Sequence, residues 1–149
     1  MIVVVFNFVF TSLVTADPLE QSRIELEAQK KIHVSNSLNL TANESNQFWG
    51  IYSEYERDLG KSTSAMFELI RKFSAGYQNN SISDQSAANM LAEFFRIEAQ
   101  KLQVKQSYLP RFQEILPNKK VLQFYQIDNT VDTLIRCDVA KRLPLIKIE

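Results

Sequence analysis

The residues that most often carry out chemistry in proteins are sparse in this sequence. Its 149 residues include one histidine, His33, and one cysteine, Cys137. Zinc sites take three or four such ligands, and a nucleophilic triad needs a histidine held between a serine and a carboxylate. With only three glycines, the chain also has no glycine-rich phosphate-binding loop. We therefore predict a protein that is not an enzyme and has no cofactor or metal site, unless a dimer interface pairs two copies of His33.

The stretch ILPNKKVLQFYQIDN, residues 115–129, combines lysines with aromatic residues, a pattern that also occurs in nucleic-acid-binding proteins. Such proteins usually have a clear basic excess, whereas this chain has 17 basic and 17 acidic residues. Residues 1–70 have five basic and nine acidic groups, and residues 71–149 have twelve and eight. This asymmetry predicts either that the two halves pack against each other or that the C-terminal half presents a basic surface. It does not favour nucleic acid as a partner.

A helix start explains the same stretch better than a binding motif does. Pro117 fits the first position of a helix, where its missing N–H would be unpaired anyway. The helix then puts Phe124 on the buried face and Tyr125 at its edge, with the hydroxyl free to reach solvent. Lys119 and Lys120 fall in the first turn, where the helix dipole disfavours cations. We expect these lysines to meet an acidic partner, for which the acidic half of the chain is one source.

A second cluster of aromatic residues lies in QFWGIYSEYE, within two turns of a predicted helix. Trp49 lies about 100° around the helix from Phe48, so one narrow stripe cannot bury both. Either some aromatic surface stays open for a partner or a dimer, or neighbouring helices share a wide core face. The candidate partner-binding residues of the two clusters are Phe48, Trp49, Tyr52, Tyr55, Lys119, Lys120 and Tyr125.

Helical periodicity dominates the elements that must position these residues. We predict an all-α fold of long antiparallel helices, forming a helical hairpin or a four-helix bundle with a kink near Pro110. Thr41 and Glu44 form a predicted capping box at the start of the longest helix, and Pro110 predicts a kink or break in the next. The predicted helices cover Leu19 to about Val34, about 42 to 77, Ser83 to Ile115, and Pro117 to about Arg142.

Apolar rows on these helices predict the core. On the longest helix the row is spaced like a heptad, and on the third helix two neighbouring rows predict the most deeply buried element. Cys137 lies within a periodic stretch and is expected to be buried rather than to pair with a cysteine of another chain. The predicted rows are Ile24, Ala28 and Ile32; Phe48, Tyr52, Tyr55, Leu59, Ser62, Met66, Leu69 and Phe73; Met90, Phe94, Ile97, Val104 and Tyr108; Leu91, Phe95, Leu102, Leu109, Phe112 and Leu116; and Val121, Phe124, Ile127, Val131 and Leu134.

The first sixteen residues, MIVVVFNFVFTSLVTA, have no charge and end in a small-residue pattern like a signal-peptidase site. The apolar run falls short of the ~20 residues that span a membrane. We therefore predict a signal peptide at 1–16, a single helical domain at 17–149, and no membrane span after removal of the signal.

Three segments of the chain resemble small exported helical proteins of Gram-negative bacteria, largely uncharacterised and distantly like the Spy/CpxP periplasmic family. These segments are LNLTANESNQFWGIYSEYE, SISDQSAANMLAEFF and ILPNKKVLQFYQIDNTVDTLIRCDVAKRLPLI. The Leu-Thr-x-x-Gln signature of the wider family is not matched, because Glu44 stands where the glutamine would be, although the helix start is kept as a capping box. The resemblance implies a periplasmic protein with long helices, and it allows a homodimer. Members of the wider family include chaperones that do not use ATP, envelope-stress modulators and metal sensors.

Two functional hypotheses follow. The first is an exported protein that binds other proteins, in a chaperone-like or stress-related role, and exposure of Trp49 and Tyr52 would favour it. The second is an accessory or sensor protein that docks on a membrane partner through its basic half. A surface cluster of Lys101, Lys105, Lys119 and Lys120 would favour this second hypothesis.

Overall fold

The structure is a computed structural model that describes residues 18–146. It contains four helices, namely α1 (Pro18–Ser37), α2 (Ala42–Gln78), α3 (Asp84–Ile115) and α4 (Asn118–Arg142). No strand is present among the described residues. The all-α class and the four predicted helices are therefore confirmed, whereas the predicted signal peptide at 1–16 lies outside the described residues.

The helices form a bundle in which neighbours run antiparallel. Helix α2 turns back through residues 79–83 into α3, so that Tyr108 Oη lies 2.7 Å from Asp58 Oδ2. Helix α1 runs along α4, where Lys30 Nζ lies 3.0 Å from Asp128 Oδ1. The α1–α2 and α3–α4 connections lie at the same end, because Lys120 reaches the carbonyl oxygen of Asn39. The order is therefore up-down-up-down, and the chain folds as a four-helix bundle rather than as an extended hairpin.

Local chemistry sets the helix ends much as the sequence predicts. The Glu44 amide donates to Thr41 Oγ1 at 3.3 Å, and Glu44 Oε2 accepts from the Thr41 amide at 2.7 Å, which completes the capping box. At the tip of the hairpin, a Cβ on Gly76 would lie 2.9 Å from Ile82 Cγ1. Glycine at that position therefore lets the connection fold closely against the end of α2. Asn80 adopts a positive φ of 48°, a conformation that asparagine tolerates.

Pro110 and Pro117 differ from the predictions in their positions relative to the helices. Helix α3 is continuous through Pro110, so the predicted break is wrong, while the predicted kink stays a prediction. Proline removes one backbone hydrogen bond, and the long helix on either side of an exposed Pro110 tolerates that loss. Pro117 is the N-cap of α4 rather than its first helical residue, and its carbonyl oxygen accepts from the amides of Lys120 and Val121.

An aromatic core fills the end of the bundle where the α1–α2 and α3–α4 connections lie, which we call the closed end. Phe48, Tyr55, Phe112 and Phe124 are all fully buried there. The rings of Phe112 and Phe124 have centroids 4.7 Å apart, and Tyr55 packs edge-on against both. Such tilted and edge-on ring pairs add to the free energy of burial. The predicted row of α2 is thus confirmed from Phe48 to Ser62, all of which is buried.

Away from the closed end, several predicted core residues are exposed instead. The bundle covers one face of each helix, so the part of the second α3 row from Leu91 to Leu109 remains outside, whereas Phe112 and Leu116 of the same row are buried. Cys137 lies about 180° around α4 from Asp128, and no described residue of α4 beyond Asp128 is buried. Helix α1 packs through Lys30 and Val34 instead of its predicted row. The predicted core residues that are exposed are Ile24, Ala28, Ile32, Leu91, Phe95, Leu102, Leu109, Leu134 and Cys137.

Candidate functional site

Most of the predicted aromatic cluster lies inside the core. Phe48 and Tyr55 are fully buried and Tyr52 is 4% exposed, because α3 and α4 cover the face of α2 that carries them. The alternative interpretation, a wide core face shared by neighbouring helices, is therefore correct for these three side chains. Their predicted role at a partner surface would require the bundle to open.

Trp49 is the member of that cluster that keeps some surface. It is half-buried, and its Nε1 donates to Ser45 Oγ at 3.1 Å. The Lys31 ammonium lies 5.7 Å from the indole centroid, within the range of a cation–π contact. An open recess between α1 and α2 is lined by Lys31, Ile32, Ser35, Asn36 and Trp49. Partner binding at Trp49 stays a prediction.

The two predicted lysines differ in their surroundings. Lys120 Nζ lies 2.7 Å from Glu44 Oε2 and 2.8 Å from the carbonyl oxygen of Asn39. The expected acidic partner in the acidic half of the chain is thus confirmed for Lys120. The hydrogen bond from Lys120, together with that from the Thr41 amide, lowers the pKa of Glu44. Lys119 is exposed, so only this one of the pair is available to a partner.

Tyr125 is half-buried, and its hydroxyl donates to the carbonyl oxygen of Lys105 at 2.7 Å. Burial raises the pKa of Tyr125 to about 12. The hydroxyl therefore joins α4 to α3 as a hydrogen-bond donor. The prediction had left it free to reach solvent, which is not what the structure shows.

Sequence reasoning missed a buried ionic cluster in the middle of the bundle, formed by Lys30, Tyr55, Glu56, Lys105 and Asp128. Asp128 Oδ1 lies 3.0 Å from Lys30 Nζ, and its Oδ2 accepts from Tyr55 Oη at 2.9 Å and lies 2.7 Å from Lys105 Nζ. Lys30 Nζ also lies 2.7 Å from Glu56 Oε1. Each of the four helices contributes at least one residue, so this ionic cluster links all of them.

The electrostatics of the ionic cluster favour the charged forms of Asp128 and Lys30. Burial alone would raise the pKa of Asp128, but the ammonium groups of Lys30 and Lys105 outweigh it and hold that pKa below its usual value. Burial likewise opposes the charge on Lys30, yet the carboxylates of Asp128 and Glu56 raise the Lys30 pKa above its usual range. For Glu56, burial dominates and raises the pKa.

The ionic cluster cross-links the four helices. A cavity of about 110 Å³ adjoins it, and the oxygens of Asp128 are all engaged by donors from other helices. The signal that could have revealed it is weak: Asp128 directly follows Ile127 of the predicted apolar row, and Lys30 lies 98 residues away in sequence. A charged residue beside an apolar row is usually solvated, so neither position stood out.

The end of the bundle opposite the closed end opens into an apolar groove of about 660 Å³. The C-terminal half of α2, the N-terminal half of α3, the end of α4 and the tail 143–146 line it. The charged residues at its margin pair with one another. Lys101 pairs with Asp132 and Arg136 with Glu98 across α3 and α4, and Arg136 also pairs with Asp132 within α4. The apolar residues lining the groove include Met66, Phe67, Leu69, Ile70, Phe73, Ile82, Met90, Leu91, Phe94, Ile97, Ile135, Val139, Leu143, Leu145 and Ile146.

Residues 18–146 contain neither a candidate metal-binding group nor a candidate membrane-spanning helix. Among these residues, no three histidine, cysteine, aspartate or glutamate side chains come together in a way that could hold a metal ion. None of the helices in that range is long and apolar enough to cross a membrane. Comparison of the chain with models of protein families, with curated proteins and with solved structures found no match.

Proposed function

We propose that this is an exported, periplasmic protein that binds apolar segments of other proteins in the apolar groove, in a chaperone-like or stress-related role. The observation that carries the proposal is the groove itself, an open apolar cavity of about 660 Å³ at one end of an otherwise packed bundle. Ligand-binding clefts have volumes of roughly 300–1,000 Å³ and mainly apolar walls. Support for export comes from the uncharged N-terminal stretch and from the resemblance to exported helical proteins.

The chemistry of the groove wall suits segments that vary in sequence. Met66 and Met90 face the groove from α2 and α3, beside Phe73 and Phe94. Methionine has a flexible, polarisable side chain, which adapts to differently shaped apolar partners. Because the marginal charges are already paired with one another, the wall offers shape and apolar area rather than a fixed charge pattern. A groove of this kind fits exposed apolar segments of unfolded clients.

An aggregation assay with a model client tests the proposal. The purified protein at equimolar ratio is expected to suppress client aggregation, and a Phe94→Glu variant is expected to lose most of that suppression by placing a charge in the groove. Leu145→Glu provides a second variant, since Leu145 lines the groove but is 90% exposed and can be replaced without disturbing the fold. Leu122→Glu is the matched control, because Leu122 is 62% exposed on α4 and does not line the groove.

Two outcomes would contradict the proposal. One is a wild-type protein that leaves aggregation unchanged at equimolar concentration. The other is full suppression by both groove variants once circular dichroism has shown their helices to be intact.

The alternative, docking on a membrane partner through a basic surface, has less support. Lys101, Lys105 and Lys120 are all engaged in ion pairs within the bundle, and Lys119 alone of the predicted cluster is exposed. A pull-down from membranes that recovers one defined partner would favour this alternative, whereas capture of many unfolded clients would favour the groove.

A further inference from the structure

Helix α3 presents a second heptad-spaced row on its outer face, separate from the core. Its members follow spacings of 4, 3, 4, 3, 4 and 3, and every one of them is exposed. Phe95 is 66% exposed and Leu102 is 56% exposed, so large apolar side chains stand in solvent. We call this row the outer row of α3, and it consists of Ala88, Ala92, Phe95, Ala99, Leu102, Gln106 and Leu109.

The outer row is distinct from the face of α3 that packs in the bundle. Phe95 lies about 200° around the helix from Ile97, which is buried. The outer row extends about 32 Å along α3, at 1.5 Å per residue. Apolar residues spaced in this way normally pack as a seam against another helix, yet the described helices α1, α2 and α4 leave this face uncovered.

We propose that the outer row is covered by α3 of a second copy of the chain, running antiparallel about a two-fold axis between residues 100 and 101. In this register Ala99 faces Leu102 of the partner, Ala92 faces Leu109 of the partner, and Phe95 faces Gln106 of the partner. A smaller side chain therefore lies opposite a larger one in each layer. One interhelical distance then suits the whole contact, as close packing requires.

Parallel pairing of the same row fits worse. It would place Phe95 against Phe95 in one layer and Ala99 against Ala99 in the next. The first layer needs a wide separation of the helices and the second a narrow one, so voids would remain between rigid helices. The alternation of small and large residues thus selects the antiparallel arrangement.

The charge distribution also fits a second copy of the chain as the partner. The exposed residues beside the centre of the outer row are Gln100, Gln103 and Ser107, none of which is charged. Arg96 is already engaged by Glu93 of its own helix, with Arg96 Nη2 2.6 Å from Glu93 Oε1. Two copies therefore meet without repulsion between like charges, which a two-fold contact would otherwise double.

The contact area predicts a dimer that exchanges with monomer. One helix pair over the six row positions that face one another buries on the order of 1,000 Å² in total, slightly below the range of about 1,200–2,000 Å² for stable interfaces. The groove lies on a different side of α3, and of the outer-row members none lines it. The proposal therefore does not depend on client binding.

Disulfide cross-linking tests both the contact and its direction. In a Cys137→Ser background, an Ala92→Cys chain is mixed with a Leu109→Cys chain and oxidised. We expect the mixed disulfide to form about tenfold faster than either self-linked product, with peptide mass spectrometry identifying the link. Ser107→Cys replaces Leu109→Cys as the matched control, because Ser107 is exposed on the same helix but lies outside the outer row.

Sedimentation of the unlinked protein provides the second measurement. A Phe95→Glu variant is expected to raise the dimer dissociation constant at least about a hundredfold by burying a charge in the contact. Phe95 is exposed in the single chain, so the helicity of this variant should be unchanged. Three results would each overturn the proposal: a wild-type protein that is monomeric at every concentration, a dimer that survives Phe95→Glu, or self-linked products that form faster than the mixed one.

Discussion

At the scale of single residues, Asp128 joins more helices through its side chain than any of the predicted site residues does. Its carboxylate takes donors from α1, α2 and α3 while lying 2% exposed on α4. The Lys120–Glu44 pair could be anticipated, because a lysine in the first turn of a helix has a local reason to seek an anion. No local reason links Lys30 to Asp128, since only the packing of α1 on α4 brings them together.

Removing the Asp128 carboxylate should destabilise the bundle strongly. Asp128→Ala leaves Lys30 with Glu56 alone and leaves the buried Tyr55 hydroxyl without its acceptor, which should cost about 3 kcal/mol or more. Urea denaturation measures the change in the free energy of unfolding. Asp138→Ala is the matched control on the same helix, because Asp138 pairs with Arg142 near the surface and should cost less than about 1 kcal/mol. Equal losses for the two variants would show that the ionic cluster contributes no more than a surface pair.

At the scale of helices, the ends and the buried face of α2 were predictable, whereas the buried face of α3 was not. Thr41 and Ser83 cap α2 and α3 through side-chain contacts within three residues, so a short piece of sequence contains all the information. Which apolar row of α3 is buried depends instead on where α2 and α4 lie. Two rows that look equivalent in sequence therefore differ over most of α3, with Ile97 in the core and Phe95 in solvent, although Phe112 at the end of the second row is buried.

The capping box should contribute measurably to stability. Thr41→Ala removes the acceptor for the Glu44 amide, and we expect a loss of about 1 kcal/mol in the free energy of unfolding. Ser53→Ala serves as the control, since Ser53 is an exposed interior residue of α2 whose hydroxyl bonds back to the Trp49 carbonyl. That control should be neutral or slightly stabilising in thermal or urea unfolding. A Thr41→Ala protein as stable as wild type would contradict this account of the helix start.

At the scale of the whole molecule, the bundle has three layers along its axis: the aromatic core at the closed end, the ionic cluster in the middle, and the apolar groove at the far end. The sequence predicted the number of helices and most of the aromatic core, because both follow from local periodicity. It left hairpin and bundle as alternatives and did not predict the groove. The choice between hairpin and bundle, and the position of the groove, depend on how the helices pack. That packing rests on contacts between residues distant in sequence, such as Lys30 and Asp128.

The lowered pKa values of three aspartates predict that the folded protein loses stability in acid. In the folded protein the pKa values of Asp128 and Asp132 are lowered, and that of Asp58 is lowered to about 2 by hydrogen bonds from Lys61 and Tyr108. The unfolded chain, with aspartate pKa values near 3.9, then binds protons first as the pH falls. Stability is therefore complete above about pH 5 and declines from pH 4 towards pH 2.

Protonation of Glu56, whose pKa is raised in the fold, offsets part of this loss. Urea midpoints measured between pH 7 and pH 2 provide the test, and the Asp128→Ala variant should show a shallower decline. A wild-type midpoint that stays constant down to pH 2 would contradict the predicted linkage.

The position of Trp49 has a consequence for how this molecule can be observed. It is the only tryptophan of the chain, and its ring packs 5.1 Å from Phe48 and 5.3 Å from Tyr52 at the closed end. The groove begins at Ser62, about 20 Å further along α2 at the rise of a helix. Tryptophan emission therefore responds most directly to the packing of the aromatic core. Fraying or occupancy of the groove takes place about 20 Å from the indole ring, so a second probe near the groove is needed to observe it.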